Sequence, residues 1–207
     1  MKTIDSIPTS KIERAAKILQ TGAKVGVNYL KFYVEKVTTS AEQAKDNLDE
    51  SNAEDIYNGL KQLKGSALKA AQMMSMDKSI LPRAFVEKFS LAQFSVPPLS
   101  PPLVEKTFKK YFGKGPNEMY DTFDFNAVNA ASIGQVHKAT LNGKSLAVKI
   151  QYPGVAQSIS SDLSLIKPAA LRMLNMKASE SEIYFKEVES KLLEETDYLK
   201  EIQQSDF

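Results

Sequence analysis

The chain has 207 residues, a formal net charge of +2 and no cysteine. That length holds one good core, or one small domain with a helical extension; the charge balance gives no bulk basicity for nucleic acid, and the missing thiols exclude a disulfide framework and thiolate metal sites. There is no run of eighteen apolar residues to span a bilayer, and the N-terminus Met-Lys-Thr-Ile-Asp lacks the apolar stretch of a secretory signal.

Residues 9 to about 38 read as a helix capped by Ser10, with Ile18, Val25, Tyr29 and Phe32 on one face and Lys17, Lys24 and Lys31 recurring on another. Gly22 and Gly26 form a small-xxx-small pair that would let a second helix approach closely. Such a basic amphipathic helix either packs on its neighbour with a solvated lysine face or lies on an anionic membrane surface. Six acidic residues between Glu42 and Asp55, interrupted only by Lys45, read as a solvated connector. Ser51-Asn52-Ala53-Glu54 reads as a capping box opening a second helix, whose buried face carries Ile56, Leu60, Leu63, Ala67 and Met74. Lys69 and Gln72 share another face of it, among small residues that allow close packing.

From Leu81-Pro82 a helix is expected to about Gln93. Four prolines between Pro97 and Pro102 then stop regular structure. They mark the expected boundary between a helical extension, residues 1–96, and a second unit, residues 97–207. Ser100-Pro101 opens another helix that Gly113 closes, and a strand follows through Phe123 and Phe125.

Asn142-Gly143 is a strong hairpin signal, because a type I′ turn needs positive φ at both central residues. It separates strands 135–141 and 144–150. The two-residue period sends Leu146, Val148 and Ile150 to one face of the second strand and Ala147 and Lys149 to the other. A small residue two positions before a lysine is how protein kinases floor an adenine site and hold the α/β-phosphates. Against the kinase pattern G-x-G-x-x-G-x-V, residues Asn129, Ala130, Ala131, Ser132, Ile133, Gly134, Gln135 and Val136 keep the third glycine and the valine. They replace the first two glycines, which stiffens the loop.

After Tyr152-Pro153-Gly154, a helix carries Ile159, Leu163 and Ile166 until Pro168 kinks or ends it. The last helix, from about Ser181, places Phe185, Val188, Leu192, Leu199 and Ile202 on one stripe. Glu195 falls on that stripe. A carboxylate facing a core needs a partner, and the spacing predicts that it meets Lys149. His137, the single histidine, is read as structural, since no second histidine or cysteine accompanies it.

The runs A-A-S-I-G-Q-V-H (residues 130–137) and L-A-V-K-I-Q-Y-P-G-V (146–155) resemble the UbiB family of atypical protein-kinase-like proteins, whose alanine-rich loop replaces the glycine-rich one. Lys69-Ala70-Ala71-Gln72 resembles the family's K-x-G-Q run, with alanine in place of its glycine, and Glu195-Thr196-Asp197 its E-x-D run. The resemblance implies that residues 129–134 cover a nucleotide, ATP or ADP with Mg²⁺, and that Lys69, Gln72 and Asp197 gate it. It also implies support of isoprenoid-quinone or related lipid metabolism, with an isoprenoid lipid or a membrane surface as partner.

No stretch matches a catalytic loop with its base Asp and metal-binding Asn, or a D-F-G; Asp206-Phe207 lacks the glycine. The chain therefore reads as the N-terminal part of a longer atypical kinase or ATPase, or as a truncated product inactive alone, with no catalytic or metal residue of its own. The expected fold is α+β: a helical N-terminal extension on a kinase-like lobe with a small antiparallel sheet. The expected location is cytoplasmic, peripheral to a membrane. The competing reading is a non-catalytic lipid- or partner-binding module of the same fold.

Overall fold

A computed structural model describes residues 3–76, 81–93, 96–174 and 178–205; Asp206-Phe207, read as no D-F-G, lies outside them. Helix α1 (Lys11–Thr38) starts at Ser10 in a full capping box: Glu13 N–H donates to Ser10 Oγ at 3.2 Å and Ser10 N–H to Glu13 Oε2 at 3.3 Å. Helix α2 (Ala41–Leu63) folds back along it. The acidic stretch is therefore helix, where a connector was expected. Ser40 supplies the N-cap, Ala44 and Leu48 are buried, and Lys45 pairs with Asp49 one turn on. Ser51 lies in mid-helix, so its capping box does not form. Burial of one face outweighs the solvation of the acids on the other.

The expected second helix breaks at Lys64 (φ 51°) and Gly65 (φ 64°), and α3 (Gly65–Met76) leaves in a new direction. A side chain at Gly65 would also press on Val155. The close approach of α1 and α2 uses Gly59, where a Cβ would overlap Thr21 Oγ1; nothing lies within 4 Å of a Cβ built on Gly22 or Gly26. Those two glycines instead line an apolar cavity of about 580 Å³, with Ile18, Val25, Leu60 and Met74.

Helix α4 (Arg83–Ser90) and a 3₁₀ turn (Leu91–Gln93) follow. Phe85, Phe89 and Ala92 close a core with Tyr57, Leu63 and Leu68. The proline segment runs beside the N-terminus, Ile4 pairing in parallel with Leu99. Helix α5 (Pro101–Phe112) begins at Ser100 and ends at Gly113 in the left-handed region, as its residues require. A short α6 (Pro116–Met119) leads to the sheet.

Strands β1 (Thr122–Phe123), β2 (Asn129–Ala130), β3 (Gly134–Leu141) and β4 (Lys144–Gln151) form one antiparallel sheet. Strand β3 is central: β4 lies on one side, and β1 and β2 share the other edge. Asn142 and Gly143 both have positive φ, as the tight turn demands. The inner face packs Ala139 and Ile150 on Phe108 of α5, with Phe123, Tyr152 and Val155. His137 is buried there and spends both ring nitrogens. Leu99 N–H donates to Gln135 Oε1 (2.8 Å), so Gln135 Nε2–H donates to His137 Nε2 (2.8 Å), leaving Nδ1–H to donate to the Asp124 carbonyl (2.7 Å). Burial holds its pKa below the ordinary histidine value.

Helix α7 (Val155–Leu174) contains Pro168 without ending there. The N–H that proline lacks would have met the Ser164 carbonyl, and both residues are exposed, so water can serve that oxygen while Ile159 and Leu163 keep the helix packed. Helix α8 (Ala178–Thr196) lays Phe185, Val188 and Leu192 against α7 and Ala70. It stops before Asp197, and α9 (Tyr198–Ser205) begins. The fold is α+β, mostly helical with one small antiparallel sheet, as the pattern of elements led one to expect.

Candidate functional site

The outer face of the sheet lies opposite the phenylalanine core. The register places Asn129, Val136 and Lys149 in one row across three strands, with Lys138 beside Ala147 in the next. Asn129, Ala147 and Lys149 are exposed and Val136 is half-buried. This is the surface on which a planar base could rest between small side chains, with an ammonium at one end.

Lys149 is held from α9. Its Nζ donates to both carboxylate oxygens of Glu201, at 2.9 and 2.8 Å, and lies 4.4 Å from the ring centroid of Tyr198. The expected Lys149–Glu195 contact does not form. Glu195 is paired at 2.9 Å with Lys69 of α3. The stripe that predicted the contact ends at Leu192; Leu199 and Ile202 are 73% and 57% exposed. The cause is the break at Asp197, whose Oδ1 accepts the Lys200 N–H at 3.3 Å and so caps α9. That break turns α9 so that its first turn, and not the end of α8, faces the lysine. The sequence signal for it was Asp197 itself, a strong N-cap residue inside a pattern read as uninterrupted.

The loop 129–134 is a tight reversal tied on both flanks. Ala131 N–H donates to the Gly134 carbonyl (2.9 Å), Gly65 N–H to the Ser132 carbonyl (2.7 Å) and Tyr152 N–H to the Ile133 carbonyl (2.9 Å). Ser132 Oγ also donates to Gln72 Oε1 at 3.3 Å. Ala130 and Ser132 are buried, while Ala131 and Ile133 are half-buried. Gly134 is required by its neighbours: a Cβ there would come 2.6 Å from the Ile150 carbonyl oxygen and 3.1 Å from Tyr198 Oη. The N-terminus of α3 thus abuts the loop, and Lys69 and Gln72 on that helix reach Glu195 and the loop respectively. Gln151 Nε2 donates to the Thr196 carbonyl (3.0 Å), fixing the end of β4 to the end of α8.

Lys149, the loop, Lys69, Gln72, Glu195 and Asp197 are therefore neighbours in space, from four separate parts of the chain. An open small-residue face, an ammonium held by Glu201 and a closed turn beside it could hold a nucleotide. A Mg²⁺ ion finds less. Among the described residues no group of three potential ligands converges; Glu195 and Glu201 are already paired with lysines, and Asp197 caps a helix.

The ABC1 atypical kinase-like domain matches residues 91–206, more than half of the chain. This protein belongs to the ABC1 atypical kinase-like (UbiB/COQ8) family. Among its relatives are the probable serine/threonine-protein kinase abkA of Dictyostelium discoideum, 32% identical over 94% of this chain and 36% of its own length. The mitochondrial atypical kinase COQ8 of Saccharomyces cerevisiae is 36% identical over 77% of this chain and 32% of its own. A solved structure of the Rv3197–erythromycin complex from Mycobacterium tuberculosis covers 77% of this chain and 41% of its own at 31% identity, with a TM-score of 0.38. The chain thus spans about a third of the length of the two curated relatives.

Proposed function

We propose that this chain is the nucleotide-binding N-terminal part of an atypical kinase or ATPase that takes ATP or ADP with Mg²⁺. The observation that carries this reading is Lys149: an ammonium on the open sheet face, held by both oxygens of Glu201, beside a closed loop. In this reading Lys149 holds the α/β-phosphates and Glu201 orients it; Val136 and Ala147 floor the base. Residues 129–134 cover the phosphates, and Lys69, Gln72, Glu195 and Asp197 control access from the α3 side. The metal would be held chiefly by the nucleotide phosphates and by groups outside the described residues. The role we assign to the whole protein, support of isoprenoid-quinone or related lipid metabolism, rests on the family and on the relatives named COQ8. Thermal unfolding tests the reading. ADP in excess should raise the midpoint of the chain and leave that of Lys149→Met unmoved; equal shifts in both would overturn it.

A specific observation supports membrane contact as part of this function. Ile12, Ala16, Leu19, Ala23, Val27, Leu30, Val34 and Val37 follow one another at steps of three and four along α1, and all are exposed, Ile12 and Val37 by more than four-fifths. Lys17, Lys24 and Lys31 border this stripe at the same seven-residue interval. Lys17 donates to Gln62 and Lys24 pairs with Asp55, both on α2, so the match to a lipid surface rests mainly on the apolar stripe, with Lys31 beside it. Two copies packed antiparallel about the middle of the stripe would set Lys24 against Lys24 of the second copy, which disfavours self-association. Among the described residues no helix is long and apolar enough to cross a membrane, so the contact we propose is peripheral. The COQ8 relatives are named mitochondrial, and the sequence reading is cytoplasmic; a peripheral contact is compatible with both.

A further inference from the structure

Tyr198 begins α9, three residues before Glu201, so the two side chains leave the same face of the first turn. They meet Lys149 in different ways. Glu201 takes the ammonium protons with its two oxygens, while the Tyr198 ring presents its face to the same nitrogen, 4.4 Å from the centroid. A carboxylate on a half-exposed side chain fixes the distance of a lysine but leaves the direction of its stem free. An aromatic face at this distance attracts the cation and also limits where the stem can lie.

The hydroxyl of Tyr198 is buried and has no hydrogen-bond partner. It lies beneath Gly134, the residue that closes the loop, and Gly134 has no Cβ to displace it. Burial first, then the nearby Glu201 and Glu195 carboxylates, raise its pKa to about 12, so the ring stays neutral and its face electron-rich. What Tyr198 gives Lys149 is therefore the contact with its ring.

We propose that Tyr198 is a positioning residue: its ring face and the Glu201 carboxylate together hold the Lys149 ammonium over the open sheet face beside the 129–134 loop. For nucleotide affinity this rests on the reading of Lys149 as the phosphate-holding group; for the lysine's own conformation it does not. Because the hydroxyl makes no bond, Tyr198→Phe keeps the device. Tyr198→Leu removes the π face and keeps an apolar side chain.

The test is carried out on the 207-residue chain with ¹³C-labelled lysine, Lys149 being assigned by its loss in Lys149→Arg. In the parent the methylene signals of Lys149 should be displaced upfield by the Tyr198 ring. Tyr198→Phe should preserve that displacement, and Tyr198→Leu should abolish it while the amide spectrum of the sheet stays in place. Affinity for ADP, measured on the same samples, should fall about two- to fivefold in Tyr198→Leu and stay within twofold in Tyr198→Phe. A Lys149 signal that is the same in the Leu variant and the parent overturns the proposal, as does loss of the displacement in the Phe variant. Should the Leu variant fail to fold, the Phe variant still decides, because a role for the hydroxyl would show there as a changed signal and weaker binding. If the signals behave as described and no variant binds ADP, the positioning role stands and the nucleotide reading falls.

Discussion

Two lysines and two glutamates are paired around the proposed site: Lys149 with Glu201, Lys69 with Glu195. Both pairs are partly exposed, so neither should contribute more than about 1 kcal/mol to folding. Their worth lies in orientation. Glu201→Gln should weaken ADP binding roughly fivefold, the equivalent of about 1 kcal/mol, while Glu195→Gln should leave it within twofold and free Lys69 instead. Calorimetric titration of the two variants separates them, and the reverse order would restore the pairing that sequence spacing suggested. A third lysine is buried for structural reasons. Lys64 donates to the Pro97 carbonyl and lies 3.9 Å from the Tyr152 ring centroid, and burial lowers its pKa to about 7. The unfolded lysine keeps its proton up to ~10.4. Between those values the unfolded state binds more protons, so stability should rise with pH from about 7 towards 10, by up to ~1.4 kcal/mol per pH unit. Urea unfolding across that window should show a slope that Lys64→Met lacks. A slope shared by both would mean that Lys64 is not its source.

Elements whose signals are local were legible in the sequence. The hairpin follows from Asn142-Gly143, α1 from Ser10 and Glu13, and α5 from Ser100 and Gly113. Breaks that depend on tertiary partners were not. The turn at Lys64-Gly65 exists because α3 must bring Gly65 N–H to the Ser132 carbonyl, and no periodicity reports that. The turn at Asp197 is different: it had a local signal, the N-cap side chain of Asp197, which the longer apolar stripe masked, and it exchanges Glu195 for Glu201 at Lys149. Helix α1 shows the opposite problem. Its inner face, read as a stripe around Ile18 and Val25, is only half-buried, and the longer stripe from Ile12 to Val37 faces outward. Co-sedimentation with vesicles tests that outer face. The chain should bind vesicles rich in anionic lipid and release them as salt rises. Leu19→Glu with Leu30→Glu should abolish binding. Equal binding by that double variant would remove α1 from the membrane account, and a dimer seen by light scattering would assign the stripe to a second copy.

Across the whole molecule one buried cluster ties the helical residues to the lobe. Arg14 of α1 forms a two-point ion pair with Asp162 of α7, Nε to Oδ1 at 2.7 Å and Nη2 to Oδ2, and its Nη1 donates to the Pro8 and Leu63 carbonyls. Ser66 and Ser158 hydroxyls donate to the same carboxylate. The cluster thus spans α1, the α2–α3 turn and α7, and so sets where α3 presents Lys69 and Gln72. Asp162→Asn should cost about 3–5 kcal/mol, because it leaves a buried guanidinium without its counter-charge. Chemical denaturation measures this, and a loss below 1 kcal/mol would show that the helices are held by apolar contacts alone. The proposed function depends most on Lys149 meeting a nucleotide. Calorimetric titration of ADP into the 207-residue chain and into Lys149→Ala, with Lys138→Ala as a control on the same sheet face, tests it directly. Saturable one-to-one binding is expected for the parent and the control, with at least a tenfold loss in Lys149→Ala. Equal affinity in all three would contradict it.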